Sequence, residues 1–261
     1  KCMTRIPKRL HYVWIGNDEK PEIFHKCLKS WQEKMPDYEI VEINEKNFDL
    51  EKHIEKNSFL RECYKRNLWA YIADYVRIHY LYEHGGIYLD TDMEIVKDFS
   101  PLFENENVEF FTGYESDDGI GMGLFGVAAK SEFLKKMINF YDNEIYASPL
   151  FTLPQITKYV LKSYFMCDFS KNEIKNNENG IYIYRKEYFY PFLPNQKFSE
   201  SMLTGNTYAI HWWHHSWKGS RPFLYLKTKH LKGIKKCIKK IGIYFQIIRD
   251  DFRNRKAKNK N

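Results

Sequence analysis

The stretch Gly85-Gly-Ile-Tyr-Leu-Asp-Thr-Asp92 decides the predicted fold of this 261-residue chain. A pair of glycines is a strong signal for the end of a helix, because glycine adopts the left-handed conformation that closes the last turn. We therefore predict one long helix from about Phe59 to His84 and a buried strand at Ile87–Asp90. A helix that leads directly into a buried strand is typical of an α/β protein.

The segments on either side extend this α/β pattern. Leu10–Ile15 is predicted to be a strand, Pro21–Lys34 a helix that begins at proline, and Glu39–Ile43 a second strand. A strand–helix–strand order favours parallel pairing with a crossover helix. The remaining predicted elements are strands at Phe110–Tyr114, Leu124–Ala128, Ile181–Tyr184 and Thr207–Ile210, helices at Ser131–Tyr146 and Pro154–Tyr164, and a polar loop at Asn172–Gly180.

The composition indicates a folded chain with a separate basic end. Apolar residues make up 43% of the sequence and aromatic residues 17%, which argues against a disordered protein. The net charge is +7, yet residues 227–261 contain thirteen Lys and Arg against two Asp, so the rest of the chain is mildly acidic. We predict one domain at residues 1–226 and a basic helical tail at residues 227–261.

The cysteines and the hydropathy pattern restrict the class of protein further. Five scattered cysteines without a CxxC pair argue against a disulfide framework or a zinc knuckle, and they favour a reducing, cytoplasmic environment. Because the sequence has no run of about 18 apolar residues and no signal-peptide pattern at its start, we expect neither a membrane-spanning helix nor a signal peptide.

Asp90 ends the predicted strand, and Asp92 is separated from it by one residue. Alternate side chains of an extended chain point the same way, so both carboxylates could reach one divalent cation, or one could orient a sugar or ribose. Oxygen ligands suit Mg²⁺ and Mn²⁺, and a cation there would stabilise negative charge on a departing diphosphate. An isolated Asp-X-Asp is also common in surface turns, but burial of two unpaired carboxylates is costly, which favours a functional pair.

Asp74 and Arg77 lie three residues apart on the helix that precedes this strand, so they share a helix face. An ordinary surface ion pair of this kind contributes little to stability. Beside Asp90 and Asp92, the same two side chains are better interpreted as a carboxylate and a guanidinium directed at ribose, sugar hydroxyls or phosphate.

Four segments of the sequence, taken in order, carry a family resemblance. They are Ile6-Pro-Lys-Arg-Leu-His-Tyr-Val-Trp-Ile-Gly16, the pair Ala73-Asp-Tyr-Val-Arg77 and Gly85–Asp92, Tyr184-Arg-Lys-Glu-Tyr-Phe-Tyr-Pro191, and Ala209-Ile-His-Trp-Trp-His-His-Ser-Trp217. The series resembles glycosyltransferase family 32, which includes bacterial capsular polysaccharide synthesis enzymes and yeast mannosyltransferases. The second segment is similar to the DXD-containing sugar-binding region of that family.

The resemblance implies a fold and a set of donor-binding residues. It implies a GT-A-like α/β domain with a mixed, mostly parallel sheet flanked by helices. On that basis Trp14 lies near the base of the nucleotide, and Asp74 and Arg77 contact the ribose or the donor sugar. Asp90 contacts ribose, sugar or metal, and Asp92 is the firmer metal ligand.

A cluster of histidines and tryptophans near the end of the domain admits two interpretations. Taken alone, His211, His214 and His215 could form a zinc or nickel site. The resemblance instead implies that His211 is a third metal ligand and that Ser216 and Trp217 lie near the diphosphate. Because His214 and His215 stand where the family usually has small residues, the choice of metal-binding histidine stays open.

The family resemblance implies a reaction as well. It implies a retaining glycosyltransferase that uses Mn²⁺ (or Mg²⁺) and moves a sugar from a nucleotide-sugar donor, with a UDP-sugar favoured. The expected acceptor is a saccharide, by default a lipid-linked oligosaccharide of surface polysaccharide synthesis, and no catalytic nucleophile is evident. The alternative is a metal-dependent phosphohydrolase that uses Asp90, Asp92 and the His211–His215 cluster, although such enzymes often need two metals.

The basic tail is predicted to contain an amphipathic helix at Leu231–Ile248. Its apolar residues are spaced as on one side of a helix, and the lysines fall largely elsewhere around it. Such a helix suits an anionic membrane surface, so we expect a cytoplasmic protein that is peripheral on the inner face of the plasma membrane. The alternative is a terminal helix packed on the domain with its lysines in solvent. We expect no nucleic-acid partner, because no groove-reading motif accompanies the charges.

Overall fold

The computed structural model of the chain describes residues 5–104, 107–214 and 223–258. The helices are α1 Glu22–Lys34, α2 Leu50–Lys56, α3 Ser58–Lys65, α4 Trp69–His84, α5 Glu132–Asn139, α6 Leu153–Phe165, α7 Phe223–Thr228 and α8 Gly233–Lys258. The strands are β1 Arg9–Val13, β2 Glu39–Ile43, β3 Gly86–Leu89, β4 Met93–Ile95, β5 Phe110–Gly113, β6 Leu124–Val127, β7 Ile174–Asn176, β8 Ile181–Tyr184 and β9 Ala209–His211.

Seven of these strands form one mixed sheet in the order β2-β1-β3-β6-β5-β8-β7, and β4 and β9 form a separate two-stranded sheet. Among the described residues, β1 pairs in parallel with both β2 and β3, and β5 pairs in parallel with β8. β6 runs antiparallel between β3 and β5, and β7 runs antiparallel to β8. The predicted α/β class, a mixed sheet with flanking helices, is confirmed.

The sheet lies between two apolar layers, as the alternation of strand side chains requires. Ile87 and Leu89 of β3 face the layer that contains Trp31 of α1, whereas Tyr88 faces the layer formed with α4, α5 and α6. Every residue of β3 is buried, so the strand enters the functional region from the middle of the core.

The glycine pair ends α4 as predicted. Gly85 caps the helix with φ 62°, and its N–H donates to the carbonyl oxygen of Leu81. Gly86 has φ 112°, and a Cβ on it would lie only 2.7 Å from His11 Nε2 of β1. Both positions therefore favour glycine, and the reversal directs β3 alongside β1.

Two predicted segments differ from the structure. The single helix predicted from Phe59 to His84 is wrong, because the chain breaks between α3 and α4, where Asn67 takes φ 54° and Leu68 N–H donates to the Cys63 carbonyl. The loop predicted at Asn172–Gly180 contains β7, an edge strand in which only Ile174 is buried. Its polar composition therefore hid the strand.

The basic end of the chain forms α7 and the 26-residue α8, so the predicted tail helix is present and longer than expected. The predicted boundary between residues 226 and 227 falls inside α7 and stays a prediction. Within the part of the chain that the structure describes, no helix is both long enough and apolar enough to cross a membrane.

Candidate metal and donor-binding site

The Asp-Thr-Asp segment forms a turn immediately after β3. Met93 N–H donates to the carbonyl oxygen of Asp90 at 3.0 Å, and Asp90 N–H donates to the Gly123 carbonyl at 2.6 Å. The expectation that an extended chain aligns the two carboxylates is therefore wrong. The turn brings Asp90 and Asp92 together instead, and the strand ends at Leu89.

The short β4–β9 sheet brings a histidine to this turn. Met93 of β4 pairs with His211 of β9, and this register places His211 Nε2 3.1 Å from Asp92 Oδ1. The other Asp92 oxygen accepts from the backbone N–H of His214 at 2.8 Å. His211 and Asp92 are 119 residues apart in sequence, so this contact depends entirely on the tertiary fold.

Asp90, Asp92 and His211 each present a ligand atom, and these three atoms lie within 4.8 Å of one another. Adjacent ligands of an octahedral ion are roughly 3 Å apart when each bond is about 2.1 Å, which matches the separation of His211 Nε2 and Asp92 Oδ1. Two carboxylates and an imidazole are a donor set for a divalent metal ion. The residues present therefore fit one divalent cation, with the three ligands that the resemblance implied.

Asp92 and His211 alter each other's titration. Burial raises the pKa of the Asp92 carboxyl, but the hydrogen bond and charge of His211 and the N–H of His214 outweigh burial and lower it. Burial lowers the pKa of His211, and the hydrogen bond and charge of Asp92 outweigh it and raise the pKa. The pair thus favours a charged Asp92, the form that binds a cation.

Arg77 connects the helix to the turn. Its guanidinium lies 3.2 Å from Asp74 Oδ1 and 3.2 Å from Asp90 Oδ1, and Nη1 donates to the Met122 carbonyl at 3.1 Å. The same group lies 4.1 Å from the centre of the Tyr88 ring. Because Arg77 is buried and fixed on several sides, it positions Asp90 rather than acting as a mobile surface charge.

Asp74 is the second carboxylate on Arg77. Burial raises the pKa of Asp74 to about 6, although Arg77 lowers it. Asp90 opposes Arg77 here, because its negative charge raises the pKa of Asp74 further. The structure therefore brings Asp74 and Arg77 to the cluster, as predicted, and their role in binding ribose or sugar stays a prediction.

Trp14 follows β1 at the same edge of the sheet. Because β1 runs parallel to β3, with His11 beside Tyr88, two further residues bring β1 level with Asp90. The Trp14 ring is partly exposed; its Nε1–H donates to the Asp18 carbonyl at 3.0 Å, and Lys20 Nζ lies 5.6 Å from its centre. A partly exposed aromatic face at this edge of the sheet is available for a base, so the predicted role of Trp14 stays open.

The sequence interpretation missed two side chains at the cluster. Glu115 lies two residues beyond β5, which points the same way as β3, so carboxylates follow both strands at one sheet edge. Burial raises the pKa of Glu115 to about 7; the charge of His211 lowers it, and that of Asp90 raises it. Tyr190 packs edge-on against the His211 ring, and its hydroxyl accepts from Leu124 N–H at 3.1 Å. The sequence signal for Glu115 was a carboxylate that follows a second predicted strand. Tyr190 had no sequence signal beyond its place in the segment Tyr184–Pro191.

The remaining predicted site residues, Ser216 and Trp217, lie outside the described residues, and so does His215. A separate cavity of about 530 Å³ lies where Ala128–Lys130 follow β6. It is at the opposite end of that strand from Gly123, so it is not part of the cluster around Asp90 and Asp92.

Residues 21–109 match the sequence family described as the glycosyltransferase sugar-binding region containing the DXD motif. This chain carries that region. The match includes α4, β3 and the Asp90–Asp92 turn, and it confirms the resemblance to glycosyltransferase family 32.

Two curated relatives share parts of the chain. Inositol phosphoceramide mannosyltransferase 3 of Schizosaccharomyces pombe is 31% identical over 135 residues, which are 51% of this chain and 36% of the relative. Subversion of eukaryotic traffic protein A of Legionella pneumophila is 25% identical over 114 residues, 34% of this chain and 17% of that protein. The chain therefore spans well under half the length of either relative.

Two solved structures share a partial likeness. The PaToxG glycosyltransferase aligns with a TM-score of 0.46 and 19% identity, over 60% of this chain and 69% of its own. A glycosyltransferase involved in glycosylation of the major capsid of PBCV-1 aligns with a TM-score of 0.44 and 12% identity, over 80% of this chain and 95% of its own.

Proposed function

We propose that the chain is a metal-dependent glycosyltransferase that moves a sugar from a nucleotide-sugar donor to a saccharide acceptor. The observation that carries the proposal is the convergence of Asp90, Asp92 and His211 within 4.8 Å, at the DXD motif of the matched region. These residues would hold Mn²⁺ (or Mg²⁺). A divalent cation, when bound, stabilises the negative charge that develops on the departing diphosphate.

The surrounding side chains have different proposed roles in donor binding. Arg77 neutralises Asp74 and fixes Asp90, so that one oxygen of Asp90 stays directed into the cluster. The exposed face of Trp14 would stack on the base, since every nucleotide base has a flat π-face on which an aromatic ring can stack. Ser216 and Trp217 are proposed near the diphosphate on the family pattern alone.

The proposed stereochemistry is retention, giving an α-linked product, as the family resemblance implies. Glu115 adds a further carboxylate at the sheet edge, close enough to interact electrostatically with Asp90 and His211. We propose that Glu115 accepts a hydrogen bond from a sugar hydroxyl, and we assign no nucleophile. Its partial burial would restrict the rotation of that carboxylate and so orient the sugar.

The proposed donor is a UDP-sugar and the proposed acceptor a lipid-linked oligosaccharide in surface polysaccharide synthesis. The name of the S. pombe relative indicates mannosyl transfer to inositol phosphoceramide by that protein, so GDP-mannose stays among the donors that must be tested. The alternative, a phosphohydrolase, is disfavoured because the acidic turn belongs to a sugar-binding region.

A donor panel tests the proposal. UDP-galactose, UDP-N-acetylglucosamine, UDP-glucose and GDP-mannose are each incubated with the full chain, with Mn²⁺ or with a chelator, and nucleotide release is measured. Asp92→Ala is the inactive variant. Release from one donor that requires both Mn²⁺ and Asp92 supports a transferase and identifies the sugar. Failure to bind or cleave any donor contradicts it, and equal cleavage of a simple phosphodiester favours the hydrolase.

A further inference from the structure

Helix α8 presents apolar residues on two opposite sides. Ile243 is buried, with 6% of its surface exposed, whereas Ile238 and Phe245 are 64% and 66% exposed. A helix packed on the domain by a single apolar face would leave lysines on its outer side. Here the outer side is apolar instead.

The exposed apolar side chains form a continuous stripe. Successive residues turn by about 100° around a helix. At that spacing, five exposed apolar side chains of α8 fall within a sector about 80° wide. Ile243 lies roughly half a turn away from that sector. The stripe consists of Ile234, Ile238, Ile241, Phe245 and Ile248.

Exposed lysines lie between the stripe and the buried side of the helix. The same helical geometry places Lys235 about 60° and Lys239 about 100° beyond one edge of the stripe, and Lys240 about 80° beyond the other edge. All three lysines are exposed. The segment Leu231–Arg249 contains no acidic residue. The outer side of α8 is therefore an apolar stripe within a positively charged surface.

We propose that the stripe of α8 binds an anionic lipid surface, with its isoleucines and Phe245 in the acyl boundary and the lysines at the headgroups. Apolar burial and attraction to anionic lipids are the two terms that hold such helices in an interface. Pairing with a second copy through this stripe is disfavoured, because it would bring two sets of lysines together around one apolar contact.

The start of α8 is attached firmly to the domain. Leu226 of α7 is fully buried in the main core, and Lys229 Nζ donates to the backbone carbonyls of Ile145 and Ser148. His214, whose N–H binds Asp92, is nine residues before Phe223, a path of at most about 30 Å. A membrane held by α8 would thus be tethered to the domain that carries the acidic cluster, which suits a lipid-linked acceptor.

Sedimentation with lipid vesicles tests the proposal without any reference to catalysis, so its failure would leave the proposed transferase activity standing. The full chain is mixed with vesicles of phosphatidylcholine alone or of phosphatidylcholine with phosphatidylglycerol. The variants are Ile238→Ser with Phe245→Ser, and Lys235→Glu with Lys239→Glu. The matched control is Met166→Ser, which alters an 83% exposed apolar residue away from α8.

We expect the wild type and Met166→Ser to sediment only with the anionic vesicles. Because each lysine near an anionic surface contributes about a five-fold gain in partitioning, and because the two glutamates are also repelled, the double lysine variant should bind at least about 25-fold more weakly. The double apolar variant should also stay in the supernatant, with an unchanged thermal transition. Equal sedimentation of all variants would overturn the proposal. So would a concentration-dependent dimer that the apolar variant abolishes, since the stripe would then belong to a second copy.

Discussion

His211 Nε2 lies 3.1 Å from Asp92 Oδ1 because β9 pairs with β4, the strand that begins at the residue after Asp92. The pairing joins the DXD turn to the last strand of the domain. A ligand from β9, 119 residues further along the chain than Asp92, therefore completes the site. Formation of the site consequently requires the whole domain to fold.

Gly123 packs so closely against Asp90 that a side chain at this position should disturb the metal site. A Cβ at Gly123 would lie 2.8 Å from Asp90 Oδ2, so Gly123→Ala should displace the carboxylate without changing any charge. Displacing a ligand through its neighbour lowers metal affinity about 10- to 100-fold, which titration of Mn²⁺ followed by the EPR signal of the free ion would measure. Gly205→Ala is the control, since a Cβ there meets nothing within 4 Å. Equal Mn²⁺ affinity in both variants would show that Asp90 is not a ligand.

We predict that the nucleotide base stacks on the Trp14 ring. Stacking contributes about 1–3 kcal/mol per base, so Trp14→Ala should weaken UDP binding roughly 5- to 150-fold, and Trp14→Phe should retain most of the affinity. Calorimetric titration of UDP in the presence of Mn²⁺ measures both. Trp69→Ala is the matched control, because Trp69 is 42% exposed at the start of α4. If Trp14→Ala binds UDP as the control does, Trp14 is a structural residue only.

Arg77 is predicted to be essential for stability as well as for the site. Arg77→Leu leaves Asp74 and Asp90 without their shared partner, and breaking a buried pair costs about 3–5 kcal/mol in the free energy of unfolding. Urea unfolding should show this loss. Arg9→Leu, which removes an exposed ion pair with Glu39, should cost about 1 kcal/mol or less. Similar losses in the two variants would mean that Arg77 is not the centre of a buried network.

Burial of His11 should make the free energy of unfolding depend on pH. Burial lowers the pKa of His11 to about 4 from 6.5, although its hydrogen bond with the Gly85 carbonyl raises it. Between pH 6.5 and 4 the unfolded chain binds a proton that the folded chain does not, so stability falls as the pH falls through this window. The full loss is roughly 3 kcal/mol at about 1.4 kcal/mol per pH unit.

The measurement is urea unfolding of His11→Gln across that pH range. The variant should lose less stability than the wild type between pH 6.5 and 4, because the titrating ring is gone. His25→Gln, an exposed change on α1, should follow the wild-type curve. If the His11→Gln curve keeps the full slope, the imidazole of His11 is not the group that titrates.

Local sequence patterns predicted most of the sheet and the end of α4, because the apolar runs and the glycine pair are strong short-range signals. They failed at Asn67, where apolar residues at helical spacing continue on both sides of the break, and at β7, where one buried residue gave no alternation. Asp90 and Asp92 were recognised from their spacing, although a turn and not an extended strand unites them.

Sequence periodicity could not predict the contacts of the site that join residues far apart in the chain. The contact of His211 with Asp92 was expected only from the family pattern, since no local rule pairs residues 119 positions apart. The strand order β3-β6-β5 places Glu115 at the edge that holds Asp90, and a strand order is a property of the tertiary fold.

The most direct test of the central claim is calorimetric titration of UDP into the full chain, in Mn²⁺ and in a chelator, for the wild type and Asp92→Asn. Asn keeps the shape of Asp92 and removes its charge. The account predicts that the wild type binds UDP only with Mn²⁺ and that Asp92→Asn loses at least about ten-fold in affinity. UDP binding that is equally tight in the chelator, or unchanged in Asp92→Asn, would contradict a metal-dependent donor site at this turn.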